Sequence, residues 1–356
     1  MERRAFLKTV GVTVAGIGVA PRVAIGQAPR WRTFEVVTKL EVANPAGVTR
    51  AWVPVPLMIE TDYFKRQPDT WAGNAPVTRT FHDPKYDVGM VYAEWPATET
   101  APVIEVVSRF TARDRALDLS RPPASAPRED KAVLARYLEA TELIPVDGIV
   151  RETAQGITSG VKSDIDRARA IYDWVVENTF RDPKVRGCGL GDVKSMLETK
   201  ELGGKCADLN ALYVGLARAA GLPARDVYGV RAAESAEFKS LGKGGDITRA
   251  QHCRAEVWLS AFGWVPVDPA DVRKVVLEEK PGLTLADPLV QRARAKLFGQ
   301  WEMNWLAYNY GHDVKLPNSA GDPIGYFMYP QAETAEGRRD SLDPGTFKYQ
   351  ITSKEV

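Results

Sequence analysis

Acyl transfer by a cysteine needs a thiol held as thiolate, a base to take its proton, and a third group that fixes the base. The stretch "ELGGKCADLNALYVGLARAAGLPAR", residues 201–225, offers a thiol in a suggestive place. Two glycines and a lysine lead into Cys206, and an apolar segment of helical period follows. Peptide N–H groups at a helix start favour negative charge, so a cysteine in the first turn has a depressed pKa. Gly203 and Gly204 permit a tight backbone entry, and the N–H of Cys206 itself could donate to an oxyanion. Taken alone, Cys206 still reads better as a small core residue. It stands three residues before Leu209 on the core face of its own helix, and free cysteine is among the most buried residue types.

The base changes that balance. The chain has three histidines, His82, His252 and His312. His252 opens the two-period run "HCRAEVWLS", a turn near 261–263 follows, and "GWVPVDPAD" brings Asp268 roughly opposite on a partner strand. A strand fixes an imidazole better than a loop, and a neighbouring carboxylate holds its tautomer. Asp271 is the alternative partner, because the hairpin register is not fixed by the sequence.

These groups have to be positioned by the elements around them. Leu209, Leu212, Tyr213, Leu216, Ala217 and Ala220 mark one face of the helix after Cys206, with Gly221 as its C-cap and Pro223 just beyond. Upstream, "DKAVLARYLEAT" and "SDIDRARAIYDWVVENT" read as helices, the second capped by Ser163, with Ile165, Ala168, Ile171, Tyr172 and Val175 on its apolar face. "ARDVYGVRAA", "HCRAEVWLS" and "GWVPVDPAD" read as strands. Helices followed by an antiparallel sheet make an α+β core over residues 131–275. Residues 29–117 alternate with period two in Phe34, Val36, Leu40 and Val42, in "VTRAWVPVP" and in "PVIEVVSRFTA", the pattern of a small β-sandwich. "DLSRPPASAPRED", residues 118–130, has linker composition. Residues 276–356 open with a helix around "PLVQRARAKLF" and turn rich in Trp, Tyr and Pro, as an extension packed on the rest.

"GGKCADLNALYVGLARAAGLPARDVYGVR", "HCRAEVWL" and "GWVPVDP", in that order, resemble the transglutaminase-like cysteine superfamily. The order Cys, His, Asp, the "GLPAR" helix exit and the sixteen-residue step from His252 to Asp268 carry the likeness, which is strong over about 162–271. It implies a helices-on-sheet core of papain/transglutaminase type with Cys206 as nucleophile, His252 as base and Asp268 as orienter. Many members read "HAWVEV" where this chain has Cys253 and Arg254 beside the base. Trp174 is a weak candidate for a second oxyanion donor and reads better as a core tryptophan. Asp208 and Asn210 follow the cysteine within a turn and suit either pocket lining or capping. His252 and Cys253 are consecutive on a strand and point to opposite faces. Cys253 is therefore expected to face away from the site and to pair with Cys188 of "RGCGLGD", leaving Cys206 as the free thiol. A zinc site on these cysteines and His252 is disfavoured, since adjacent His252 and Cys253 do not turn readily to one metal and no C-x-x-C pair exists. The expectation is no metal and no cofactor.

The remainder of the chain narrows the classes. A net charge of +1, and no basic block interleaved with aromatics, exclude nucleic acid as an expected partner. "MERRAFLKTVGVTVAGIGVAPRVAIGQA" has Arg3 and Arg4, a twelve-residue apolar run from Thr9 to Ala20 and small residues near Ala28. It resembles a bacterial twin-arginine (Tat) signal and is too short for the roughly 20 residues of a membrane span. A soluble exported, periplasmic chain is expected. The substrate classes left open are peptides, proteins and small amides. Hydrolysis is preferred to cross-linking, because water needs no second pocket. A non-catalytic module that recognises a periplasmic protein or cell-wall partner is the rival. A papain-like peptidase lacks its "C-G-S-C-W" neighbourhood here.

Overall fold

The computed structural model describes residues 30–356. The expected signal sequence lies outside the described residues. Among the described residues no helix is long and apolar enough to cross a membrane.

The alternation seen in the sequence becomes two packed sheets. Arg32–Val42 and Val103–Ala112 pair antiparallel from Arg32 opposite Ala112 to Glu41 opposite Val103. Thr49–Pro54 pairs with Val88–Trp95, which forms a hairpin with Val77–Asp83. Leu40, Val42, Val53, Val91, Trp95, Ile104 and Val106 meet between the sheets, each 3% exposed or less. The chain's last strands complete both layers. Phe347–Glu355 lies against Arg32–Val42, with Phe34 opposite Glu355 and Val42 opposite Phe347. Gln331–Thr334 lies against Thr49–Pro54. The sandwich is thus built from both ends of the chain, and the free edge of Arg32–Val42 is covered.

Between these ends stands the α+β core. An antiparallel sheet runs in the order Gly263–Val267, Gln251–Leu259, Ala224–Arg231, Trp305–Asn309. The helix Cys206–Ala219 packs on it, with Gly148–Thr158 and Asp164–Asn178 on its other side. Sandwiched in this way, the central helix buries every residue from Cys206 to Arg218, well beyond the single apolar face its period marks. It ends in a Schellman motif. Gly221 has φ +82°, its N–H bonds the carbonyl of Arg218, and that of Leu222 bonds Ala217, both at 2.9 Å. Ser163 caps Asp164–Asn178 by accepting from the N–H of Asp166 at 3.1 Å.

The strand expected through Asp271 is shorter. It stops at Val267, and Asp268 is the N-cap of a helix, Pro269–Glu278, with proline at its first position. Asp followed by Pro is a strong helix start, and it overrides the alternation that suggested a longer strand.

Candidate active site

The mouth of the Cys206 helix is organised by one buried carboxylate. Asp208 Oδ2 accepts the N–H of Lys205 at 2.9 Å, and Oδ1 accepts those of Leu190 and Gly191, each at 2.9 Å. Asp208 therefore caps its own helix and pins the Gly-rich loop beside it. That loop carries Cys188, whose carbonyl accepts the N–H of Ala207 at 2.9 Å. Gly203 and Gly204 pair with Phe180 and Arg181. A Cβ on Gly203 would run into the Phe180 ring, and one on Gly204 into the Asp208 side chain. The two glycines are needed for close approach at this entry.

His252 is buried at the start of its strand, and its carbonyl accepts the indole N–H of Trp305 at 2.9 Å. Its Nε2 lies 2.8 Å from Asp268 Oδ2 and 3.3 Å from Asp271 Oδ2. Asp271 Oδ1 in turn takes Arg231 at 2.6 Å, and Arg254 Nε stands 3.8 Å from Asp268. Asn210 ties the helix to this group, its Nδ2 donating to the Cys253 carbonyl at 2.8 Å and to Asp268 Oδ1 at 3.3 Å. Asp208 and Asn210, read as pocket lining or caps, are both structural ties.

The electrostatics favour a charge-separated pair. Burial and Arg231 work against a charged His252, but Asp271 and Asp268 outweigh them, and its pKa is pushed up to about 9. Hydrogen bonding from Cys188, then Cys253 and His252, outweighs burial and holds the Cys206 thiol well below the usual range. Burial raises Asp271, yet Arg231 and His252 hold it well below the carboxylate range. Burial, and then Asp271, raise Asp268. With Nε2 committed to the carboxylates, Nδ1 is the ring nitrogen left for Cys206. The arrangement can hold a thiolate beside an imidazolium in a buried, polar setting.

Cys206, His252 and Asp268 come together, with Asp271 sharing the imidazole. The expectation for the other cysteines is corrected. All three thiols are free and buried, so Cys188 and Cys253 are not joined, and both instead help to lower the pKa of Cys206. Alternation separates the Cβ directions of His252 and Cys253, but the first turns of the Cys206 helix lie against this strand end, where Asn210 Nδ2 donates to the Cys253 carbonyl at 2.8 Å. The other two histidines lie elsewhere: His82 pairs with Asp87 at 2.7 Å, and buried His312 with Asp226 at 3.2 Å. Trp174 is a half-buried residue packed on the main core. Among the described residues, His252, Asp268 and Asp271 are close enough to one another to hold a metal ion. Arg231 and Arg254 already supply the positive charge there, so the set does not fit a cation. Arg231 was not foreseen, because a lone arginine closing an apolar strand reads as the strand's end. Period two along "VYGVR" does put it on a face, but not opposite a carboxylate.

The family model of the transglutaminase-like superfamily matches residues 151–269. An uncharacterised protein of Haemophilus influenzae is 36% identical over 327 residues, 87% of this chain and 87% of the relative. The chain belongs to the transglutaminase-like superfamily. A candidate cysteine protease from Cytophaga hutchinsonii has a similar structure, with TM-score 0.51 and 14% identity over 91% of this chain and 98% of that one. At that identity the likeness speaks to fold alone, and it extends over the sandwich as well as the core. The periplasmic domain of TgpA from Pseudomonas aeruginosa matches with TM-score 0.35 and 16% identity over 71% of this chain and 91% of that one.

Proposed function

We propose that this transglutaminase-like protein is an exported, thiol-dependent acyl-transfer enzyme that acts on amide or peptide bonds. Cys206 is the nucleophile, His252 the acid–base group and Asp268 the residue that orients it. The observation that carries the reading is the buried imidazole held through Nε2 at 2.8 Å from Asp268, beside a thiol at the first helical position. The Cys206 thiolate attacks the carbonyl carbon, and the carbonyl electron pair moves to oxygen, next to the N–H groups at the helix start. His252 passes its proton to the leaving nitrogen, and the C–N bond breaks to leave a thioester. Neutral His252 then takes a proton from water, whose oxygen attacks the thioester; the C–S bond breaks, the acid leaves, and the Cys206 thiolate and His252 imidazolium are restored. Hydrolysis is preferred to transfer onto an amine, because water needs no second binding pocket. Export through the Tat route and a periplasmic location rest on Arg3, Arg4 and the apolar run after them.

The test is the pH profile of iodoacetamide labelling. Cys206 should react well below the pH at which a free thiol reacts, near 8.5, and Cys206→Ala should abolish that phase. Labelling no faster than a model thiol across the whole range would replace the enzyme with a binding module. Peptide amides presented with and without a primary amine then separate hydrolase from transferase.

A further inference from the structure

Beside the helix mouth is a cleft that the chemistry above leaves unused. Its volume is about 280 Å³, and Leu143, Leu190, Tyr326, Tyr329 and Leu342 line it. Two hydroxyls face the loop before the nucleophile: Tyr326 donates to the Gly189 carbonyl at 2.6 Å, and that of Tyr329 stands where a Cβ on Gly187 would meet it. The Cys188 carbonyl accepts the N–H of Ala207, in the first turn of the Cys206 helix, at 2.9 Å. The cleft is thus one residue layer from Cys206.

Two large apolar side chains flank this entry and are left in water. Leu190 is 64% exposed and Phe180 49% exposed. Neither lies on a loose segment. The backbone of Leu190 is fixed by Asp208, and Phe180 is paired with Gly203. Of the two, Leu190 lines the cleft, and an exposed apolar group held rigidly there marks a binding surface.

The charged groups of the cleft are already neutralised. Asp340 takes Arg186 at 2.6 Å, and Arg339 Nη2 takes Glu336 and the Asn44 carbonyl, both at 3.0 Å. Ser341 donates to the Pro330 carbonyl at 2.7 Å, and Gln331 to that of Tyr329 at 3.3 Å. A charged ligand would lose its hydration and meet side chains that already have counter-ions, with the Arg339 Nε buried and unpartnered among the described residues. A bulky apolar group would exchange water for leucine and tyrosine faces.

We propose that this cleft binds an aromatic or large aliphatic side chain of the substrate, adjacent to the amide that Cys206 attacks, with Leu190 as a specificity-determining residue. The proposal rests on Cys206 as nucleophile for its place in the reaction, and on the cleft itself for its selectivity. An aromatic side chain buries about 150–250 Å² when fully enclosed.

Calorimetric titration of the Cys206→Ala protein reads binding without turnover. Acetyl-Ala-Phe-amide should bind with a Kd at least about tenfold lower than acetyl-Ala-Asp-amide, within the range an apolar pocket supplies. Leu190→Asp should bring that ratio to about one. Leu190→Gln takes its place if melting shows that Leu190→Asp is unfolded. Equal affinities in the parent protein, no heat with either amide, or an unchanged ratio in the Leu190 variant would each overturn the cleft. Failure of the labelling profile alone would overturn the role of Cys206 and leave the measured selectivity standing.

Discussion

The imidazole of His252 is shared between two carboxylates of one helix start, at 2.8 Å from Asp268 and 3.3 Å from Asp271. The two are not equivalent. Asp271 N–H donates to Asp268 Oδ1 at 3.1 Å, and Arg231 claims Asp271 Oδ1 at 2.6 Å. Asp268 therefore orients the ring, and Asp271 carries the charge that balances Arg231. Asp268→Asn should lower kcat/KM on a chromogenic peptide amide by about 10²–10⁴-fold through loss of the tautomer. Asp271→Asn should act mainly on stability, at a cost of about 3–5 kcal/mol, by leaving Arg231 buried without its partner. Denaturant melts and kinetics on both variants check the split, and the reverse order of effects would sink it.

The pH dependence follows from the same group. The pKa of His252 stands at about 9, raised above its ordinary value near 6.5. Its charged form is therefore favoured by folding. That contribution is complete below about pH 6.5 and is lost as pH rises through about 9. The alkaline limb of kcat/KM should fall near 9, where the imidazolium that protonates the leaving nitrogen disappears. Asp271→Asn removes one of the charges that raise it and should shift that limb to lower pH. A limb that stays in place in this variant would show that another group titrates there.

Thiol counting addresses the cysteines. Denatured, unreduced protein should give three free thiols, since Cys188, Cys206 and Cys253 are all unpaired. In the folded protein one should react far ahead of the others. Contact with Cys206, then burial, raise Cys188, and burial, then Cys206, raise Cys253, both well above the ordinary thiol range. Mass mapping of the first labelled peptide should find Cys206.

What the sequence made legible is local. Ser163 and Gly221 announce their helix ends through a side-chain oxygen and a left-handed backbone, which neighbouring residues suffice to dictate. Cys206, His252 and Asp268 were legible through residue type and order. The hydrogen bonds that arm them were not. Asp208 collects N–H groups 17 and 18 residues upstream, and Arg231 meets Asp271 across 40 residues. Such pairings depend on tertiary placement, and no local pattern encodes them. The same holds for Cys253: the pleat gave its direction but not which element fills that side.

Asp208 offers a test of the loop anchor. In Asp208→Asn the carboxamide nitrogen would face a backbone N–H, so at least one of three bonds is lost. The cost should be about 1–3 kcal/mol in a thermal or denaturant melt. Hydrogen exchange at the amides of Leu190 and Gly191 should accelerate, because both donate to this carboxylate. Amides that keep their protection in the variant would locate the anchor elsewhere.

The final strand tests whether the two layers fold together. Ile351 is fully buried in the main core, and its carbonyl accepts the N–H of Ile247, which belongs to the segment leading to His252. On the other edge its strand pairs with Arg32–Val42. Phe347, from the same strand, is buried instead between the sandwich sheets. One strand therefore serves both cores, and the damage from Ile351→Ala should not stay in one of them. A loss of about 2–5 kcal/mol is expected from the cavity, expressed as a single lowered transition in calorimetry. A split into two transitions, with the active-site half melting at its original temperature, would show that the sandwich and the Cys206 core are energetically separate.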